Sequence, residues 1–223
     1  MNRVFRAFRL SVSAIALLAG MVSCAKDTEV VDPYADWEGK NVEFIDSIFN
    51  VASNPPEGEI WRMYFDYAIS FDNEFGEVLD PYEKKQKDFV YVKYKNADDV
   101  LNEEGLKEYP IVYGDTVVVA YQGFLINGER FDGTYYGTFD KDVTDNFAKF
   151  AVIDKRNNPK GGLIGGWVNA LIHMKPKTSN EMEVYIPAEL AYGTTGSGSS
   201  IPGNSVLKFE MYVDDVIKPK LQK

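Results

Sequence analysis

The stretch Gly161-Gly162-Leu163-Ile164-Gly165-Gly166-Trp167 decides how this chain folds. Its two glycine pairs permit sharp turns and let the backbone approach other groups closely. Trp167 is predicted to open a short apolar helix, which must end before Pro176 because proline cannot continue a helix. We therefore expect Leu163, Ile164 and Trp167 to form an apolar floor at the start of that helix.

Two further segments are expected to form walls around this apolar floor. Residues 187–193 and the dipeptide Ile201-Pro202 enclose a loop that is rich in glycine and serine. Together with the first stretch, these segments predict one small hydrophobic pocket.

The composition excludes several classes of function. The chain of 223 residues has a formal net charge of −10, and its first 23 residues contain three arginines and no acid, so the rest is more acidic still. Nucleic-acid binding needs a basic surface that contacts the phosphates, and the composition of this acidic sequence argues against one. The chain has a single cysteine and a single histidine, which excludes a cysteine-rich zinc site. A Ser-His-Asp or Cys-His catalytic site is also disfavoured, because only one histidine is available for it. We expect no metal or cofactor, and His173 to be a surface residue at the end of the predicted helix.

Residues 1–23 have the pattern of a signal peptide. Three arginines precede an apolar run over residues 10–20, which is too short to cross a bilayer. The run ends at small residues before the lone Cys24, a pattern that resembles the lipobox of bacterial lipoproteins. The resemblance implies that Cys24 is lipidated and anchors the protein in the outer membrane, facing the periplasm or the cell surface. The alternative is an ordinary secretory signal followed by a cysteine by chance.

The remainder of the chain divides into a polar tether (residues 24–36), an N-terminal extension (residues 37–87) and a larger domain (residues 88–219). Apolar spacing over residues 37–49 predicts one helix in the extension, which docks on the neighbouring core or, as the alternative, forms a dimer face. Alternation over residues 61–71 predicts a strand.

Strand patterns dominate the larger domain. Asn127-Gly128 between two apolar runs predicts a hairpin. The strands predicted from β-branched, aromatic or alternating residues are 89–94, 116–121, 150–153, 181–186 and 206–217. Several strands and one short apolar helix indicate an α+β fold, with an antiparallel sheet folded over the helix.

Six short motifs follow one another along the larger domain. They are Tyr121-Gln122-Gly123, Gly128-Glu129-Arg130-Phe131-Asp132, Leu163-Ile164-Gly165-Gly166-Trp167, Ala191-Tyr192-Gly193, Ile201-Pro202 and Leu207-Lys208-Phe209-Glu210. In this order and spacing they resemble the FKBP-type peptidyl-prolyl cis-trans isomerases, over about residues 88–218. The resemblance implies an antiparallel sheet wrapped around one short helix. It also implies isomerisation of X-Pro bonds in polypeptide clients without a cofactor.

The same resemblance implies roles for individual residues. The residues implied to line a pocket for the proline ring, with the indole of Trp167 as its floor, are Tyr121, Phe131, Leu163, Ile164, Trp167, Ile201 and Phe209. Asp132 is implied at the rim, where it accepts a hydrogen bond from Tyr121 and faces the carbonyl that twists. Tyr192 is implied to donate its hydroxyl to a substrate carbonyl.

The chain also departs from the family pattern. Ala148 stands where the family usually has an aromatic residue, and Ser197 and Ser200 stand where bulkier residues are common. The connections over residues 134–146 and 154–162 are longer than usual. These departures bear on substrate preference and catalytic efficiency more than on the fold.

Three functions are compatible with these patterns. The first is a membrane-tethered isomerase that acts on proteins folding in the cell envelope. The second is a non-enzymatic module whose pocket binds a proline-containing peptide or protein without turnover. The third is a structural lipoprotein in which the N-terminal part carries the role.

Overall fold

The computed structural model of the chain describes residues 32–66, 85–95, 110–174 and 181–219. The predicted signal peptide, Cys24 and most of the predicted tether lie outside the described residues, as does the end of the strand predicted over 61–71. None of the described helices is long and apolar enough to cross a membrane.

Two α-helices and seven β-strands are found in the described residues. The helices are α1 (Trp37–Ser53) and α2 (Gly165–His173). The strands are β1 (Ile60–Phe65), β2 (Phe89–Tyr94), β3 (Thr116–Phe124), β4 (Arg130–Gly133), β5 (Ala148–Ala151), β6 (Glu181–Ile186) and β7 (Leu207–Ile217). They form one antiparallel sheet in the order β1-β2-β6-β7-β3-β4, with β5 also pairing with β3. The predicted α+β class with an N-terminal helical extension is confirmed.

The sheet is covered on both faces where β2 and β6 run. In β2, Val90 and Val92 belong to the core cluster that contains α2, whereas Tyr91 between them belongs to a cluster with α1. In β6, Val184 and Tyr185 divide between the two clusters in the same way. Because successive side chains of a strand point to opposite faces, α2 covers one face of the sheet and α1 the other.

The apolar stripe of α1 docks on the sheet as predicted, and the helix continues four residues beyond the predicted end at residue 49. Its buried residues are Trp37, Asn41, Ile45, Ile48 and Ala52. Two polar contacts fix its position: the indole N–H of Trp37 donates to Oγ of Ser205 at 2.9 Å, and the N–H of Val206 donates to Oδ1 of Asn41 at 2.7 Å. The N-terminal extension is therefore packed onto the same sheet as the larger domain.

The chain that leads into α1 is held against the hairpin between β3 and β4. The ring of Tyr34 contacts Trp37 edge to face at a centroid distance of 5.1 Å. Its hydroxyl donates a hydrogen bond of 2.6 Å to Oε2 of Glu129, which lies just before β4. Tyr34 falls within the predicted tether, so the C-terminal end of that segment contacts the domain.

The position predicted for β5 is wrong by two residues. The strand was expected over residues 150–153, but its pairing with β3 ends where Ala151 lies opposite Thr116. The next N–H, that of Val152, instead donates to the carbonyl of Asp115 at 2.8 Å.

Candidate active site

A cavity of about 170 Å³ opens at the N-terminal end of α2. It is enclosed by α2 and the segment before it, by β3, β4, β5 and β7, and by the segment that follows β6. The lining residues are Tyr121, Phe131, Asp132, Phe150, Gly162, Leu163, Ile164, Trp167, Tyr192 and Phe209.

The indole of Trp167 forms the floor of this cavity. The residue is 3% exposed, and three rings stand almost perpendicular to it, with centroid distances of 5.1 Å to Tyr121, 5.2 Å to Phe209 and 5.6 Å to Phe150. Edge-to-face pairs of this kind contribute about 0.5–1.5 kcal/mol each beyond the area that they bury. The indole is therefore held firmly by its neighbours and still lines the cavity.

The glycine pair before Trp167 explains how α2 can lie so close to the sheet. A Cβ on Gly166 would overlap the side chain of Ile186 in β6, so only glycine permits this approach. The helix begins at Gly165, two residues earlier than predicted, because the carbonyl of Ile164 already accepts the N–H of Trp167 at 3.0 Å.

A second close approach shapes one wall of the cavity. A Cβ on Gly123 of β3 would lie 2.6 Å from Cζ of Phe131 and 2.8 Å from Cε1 of Phe209. These two rings pack edge to face over the glycine, with centroids 5.6 Å apart. Glycine at this position thus allows residues of β4 and β7 to meet in one aromatic wall.

The rim carries a carboxylate that is fixed by two hydrogen bonds. The hydroxyl of Tyr121 donates to Oδ2 of Asp132 at 2.8 Å, and the N–H of Gly133 donates to Oδ1 at 2.8 Å. Burial raises the pKa of Tyr121 well above its usual value, and the bond to Asp132 raises it further. The phenol therefore keeps its proton and holds the solvent-exposed carboxylate in one orientation.

Tyr192 stands at the other side of the opening. It follows the 3₁₀ turn Ala188–Leu190, and the N–H of the next residue, Gly193, donates a hydrogen bond of 2.7 Å back to the carbonyl of Ala188. The half-buried position raises the pKa of Tyr192, and the negative charge of Asp132 adds to the effect. Its hydroxyl is therefore a protonated donor beside the cavity at neutral pH.

The structure brings eight of the nine predicted pocket and rim residues together around this cavity. The exception is Ile201, which was expected to complete the wall. Ile201 forms a backbone bridge with Ser197, through N–H to carbonyl bonds of 2.8 and 3.2 Å, and is buried in the main core. Of this loop, only Tyr192 is among the residues that line the cavity.

Phe150 is a lining residue that the sequence reasoning missed. The sequence indicates Phe150 only as part of a strand, and the family pattern places the usual aromatic residue at the position of Ala148 instead. Both residues belong to β5 and lie two positions apart, hence on the same face of the strand. That spacing was the signal that could have identified the ring of Phe150, which contacts both Tyr121 and Trp167.

Comparison with known proteins finds sequence similarity over the region that contains the cavity. The family described as FKBP-type peptidyl-prolyl cis-trans isomerase matches residues 108–214, just under half of the chain. The FKBP-type 22 kDa peptidyl-prolyl cis-trans isomerase of Escherichia coli is 36% identical over 103 residues, which cover 46% of this chain and 42% of that protein. The FKBP-type peptidyl-prolyl cis-trans isomerase FkpA of Buchnera aphidicola is 34% identical over 106 residues, which cover 46% of this chain and 34% of that protein. The crystal structure of FkpA from Escherichia coli aligns with 82% of this chain and 60% of that chain, at 24% identity and a TM-score of 0.49.

The match therefore spans about a third to two fifths of the length of these curated relatives. The matched region of this chain contains α2 and all ten residues that line the cavity. Helix α1 and strands β1 and β2 precede that region. The resemblance had been expected to begin near residue 88, but the matched region begins at residue 108. In sequence, residues 108–214 are similar to the FKBP-type peptidyl-prolyl cis-trans isomerase family.

Proposed function

We propose that this chain is a peptidyl-prolyl cis-trans isomerase that accelerates rotation about X-Pro bonds in folding polypeptides. The observation that carries the proposal is the ring-lined cavity above Trp167, which lies within the region that matches the family. Its volume of about 170 Å³ is below the roughly 300–1,000 Å³ of pockets for drug-sized ligands, so it suits a single side chain such as a proline ring.

The chemistry needs an apolar site rather than a reactive one. Rotation about a peptide bond faces a barrier of about 18–20 kcal/mol, because amide resonance favours the planar form. At the transition state the amide is twisted and has lost both resonance and charge separation. An apolar cavity favours this less polar state over the planar amide, and such a difference lowers the barrier.

The residues around the cavity have roles that require no proton transfer and no covalent bond. The rings above Trp167 hold the proline ring, and their positive edges face the carbonyl oxygen as it swings. Tyr192 donates its hydroxyl to a substrate carbonyl. Asp132, oriented by Tyr121, faces the rotating carbonyl at the rim.

A proline-limited refolding assay tests this proposal. We expect the wild-type protein at micromolar concentration to accelerate the slow refolding phase. We expect Tyr192→Phe to lower kcat/KM about two- to tenfold, since one hydrogen bond contributes about 0.5–1.5 kcal/mol. Asp132→Ala should lower it as well, because the carboxylate at the rim is lost. Tyr136→Phe, which removes a hydroxyl from an exposed tyrosine outside the cavity lining, is the matched control and should leave kcat/KM unchanged.

The same assay separates the enzyme from a binding module. The observation that favours a module is that Ile201 lies in the core and Ser200 is exposed, so the loop after Tyr192 offers the cavity little apolar surface. If wild-type protein gives no acceleration while a proline peptide still quenches its tryptophan fluorescence, the isomerase proposal is wrong and the module stands.

We further propose that the protein is an outer-membrane lipoprotein, anchored through Cys24 and acting on clients in the periplasm or at the cell surface. The support is the sequence alone: a basic and apolar segment that ends at a lone cysteine. Metabolic labelling with a palmitate analogue should mark the wild-type protein and leave Cys24→Ala unlabelled. Ser23→Ala keeps the cysteine and serves as the control that should remain labelled. Label that persists in Cys24→Ala contradicts the anchor.

A further inference from the structure

Arg156 lies between two buried carboxylates from distant parts of the chain. Its guanidinium donates to Asp66 through both terminal nitrogens, at 2.6 and 3.1 Å, and to Asp154 through Nε and one terminal nitrogen, at 2.7–3.1 Å. Both aspartates are 1% exposed. Asp66 follows β1 of the N-terminal extension, whereas Asp154 belongs to the long connection that leads to the cavity.

Asp154 is tied directly to the cavity floor through backbone contacts. On one side of it, the N–H of Leu163 donates to the carbonyl of Ile153 at 2.8 Å. On the other side, the N–H of Lys155 donates to the carbonyl of Leu163 at 2.8 Å. Oδ1 of Asp154 also accepts the N–H of Arg156 at 2.7 Å, so one turn holds both the guanidinium and Leu163.

The guanidinium also contacts the start of α2. A Cβ on Gly165, the first residue of the helix, would lie 2.5 Å from a terminal nitrogen of Arg156 and 2.7 Å from its Cζ. The backbone at this point therefore rests against the plane of the guanidinium. A cation at a helix N-terminus is unfavourable by itself, and the carboxylates of Asp66 and Asp154 beside it reverse that effect.

The N-terminal extension contacts α2 further along as well. Nδ2 of Asn169 donates to the carbonyls of Tyr64 and Phe65 at 3.1 Å each. The ring of His173 stacks on that of Tyr64 with a centroid distance of 4.3 Å. The end of β1 and the residue after it thus lie along α2. Tyr64 and Phe65 contact its later turns, and Asp66, through Arg156, reaches its first residue beside the cavity.

We propose that Arg156 is a positioning residue: held by Asp66 and Asp154, it fixes the start of α2 and so places Trp167 and Leu163 at the floor of the cavity. The N-terminal extension, through Asp66, is then part of what makes the cavity competent. The catalytic consequence rests on the proposed isomerase function, whereas the placement of Trp167 does not. Arg156 suits this role because its planar guanidinium has several N–H donors and can donate to two carboxylates at once. The single ammonium group of a lysine cannot reproduce this arrangement.

The test uses the full-length protein labelled with 5-fluorotryptophan, which gives three ¹⁹F resonances, from Trp37, Trp61 and Trp167. The Trp167 resonance is assigned by its loss in Trp167→Phe. We expect Asp66→Asn, which keeps the size of the side chain, and Arg156→Lys, which keeps its charge, to shift or broaden the Trp167 resonance and leave that of Trp37 unchanged. In both variants kcat/KM for a proline peptide should fall about tenfold or more, since small misplacements of a binding group have effects of this size.

The matched control is Glu59→Gln. It removes a second long-range ion pair of the extension, to Lys93 at 2.6 Å, at the opposite end of β1. Its effect should be confined to Trp61, whose indole N–H donates to Glu59 at 2.8 Å. An equal effect of this control on the Trp167 resonance would show that any weakening of the extension is sufficient, and would overturn the proposal.

Two further results would also contradict the proposal. One is a wild-type Trp167 resonance in both Asp66→Asn and Arg156→Lys. The other is a shifted resonance with wild-type kcat/KM, which leaves Arg156 without a catalytic consequence. If the wild-type protein itself shows no isomerase activity, the proposed function fails, and the ¹⁹F comparison still decides whether Asp66 and Arg156 position Trp167.

Discussion

Replacing Trp167 by alanine is expected to abolish binding of proline-containing peptides and to lower the free energy of unfolding by about 3–5 kcal/mol. The indole supplies the floor of the cavity and an edge-to-face contact to each of three rings, from Tyr121, Phe150 and Phe209. Removing it leaves a void that these rings fill only in part. Urea denaturation measures the loss of stability, and titration calorimetry with a proline peptide measures binding.

Trp61→Ala is the matched control for this prediction. Trp61 is also buried, at 6% exposure, and stacks on Tyr185 in the cluster beneath α1, away from the cavity. Its truncation should lower stability by a similar amount and leave peptide affinity unchanged under conditions in which the protein remains folded. Peptide binding that survives in Trp167→Ala, or is lost equally in both variants, contradicts the assignment of Trp167 as the floor.

Arg156→Gln is expected to lower the free energy of unfolding by about 3 kcal/mol. The change leaves Asp66 and Asp154 buried without the guanidinium that accounts for five hydrogen bonds between them. Removing one partner of a buried charge pair costs about 3–5 kcal/mol, and the lower end applies because Arg156 is itself partly exposed.

Lys87→Gln provides the comparison for the Arg156 prediction. Lys87 pairs with Glu189 at 3.3 Å on the surface, where both side chains are about half exposed. Such pairs contribute about 0–1 kcal/mol, so the midpoint of urea denaturation should move little. Equal shifts in the two variants would mean that the cluster around Arg156 contributes no more than an ordinary surface pair.

Much of the fold could be predicted because its signals are local. β-branched and aromatic residues identified β2, alternation identified β6, and the Asn127-Gly128 turn identified the hairpin that carries Phe131 and Asp132. The ordered motifs then identified eight of the residues that the structure assembles around the cavity. In each case a residue and its near neighbours carry the information.

The remainder depends on contacts between distant parts of the chain. Asp66 and Arg156 are 90 positions apart, and nothing in the sequence around either residue indicates that they meet. Ile201 is not among the residues that line the cavity, and its bridge with Ser197 is a backbone contact that side-chain pattern does not indicate. The start of α2 was misplaced because backbone hydrogen bonding from Ile164, rather than apolar spacing, decides where that helix begins.

The contact between Tyr34 and Glu129 sets a limit on how far an anchored copy can reach. If Cys24 carries the lipid, as proposed, the ten residues from Cys24 to Pro33 can span at most about 35 Å, whatever their conformation. Tyr34 contacts the hairpin that carries Phe131 and Asp132, so in an anchored copy that hairpin would stay within about this distance of the membrane surface. We therefore expect an anchored copy to meet client segments near the membrane surface more often than chains free in the compartment.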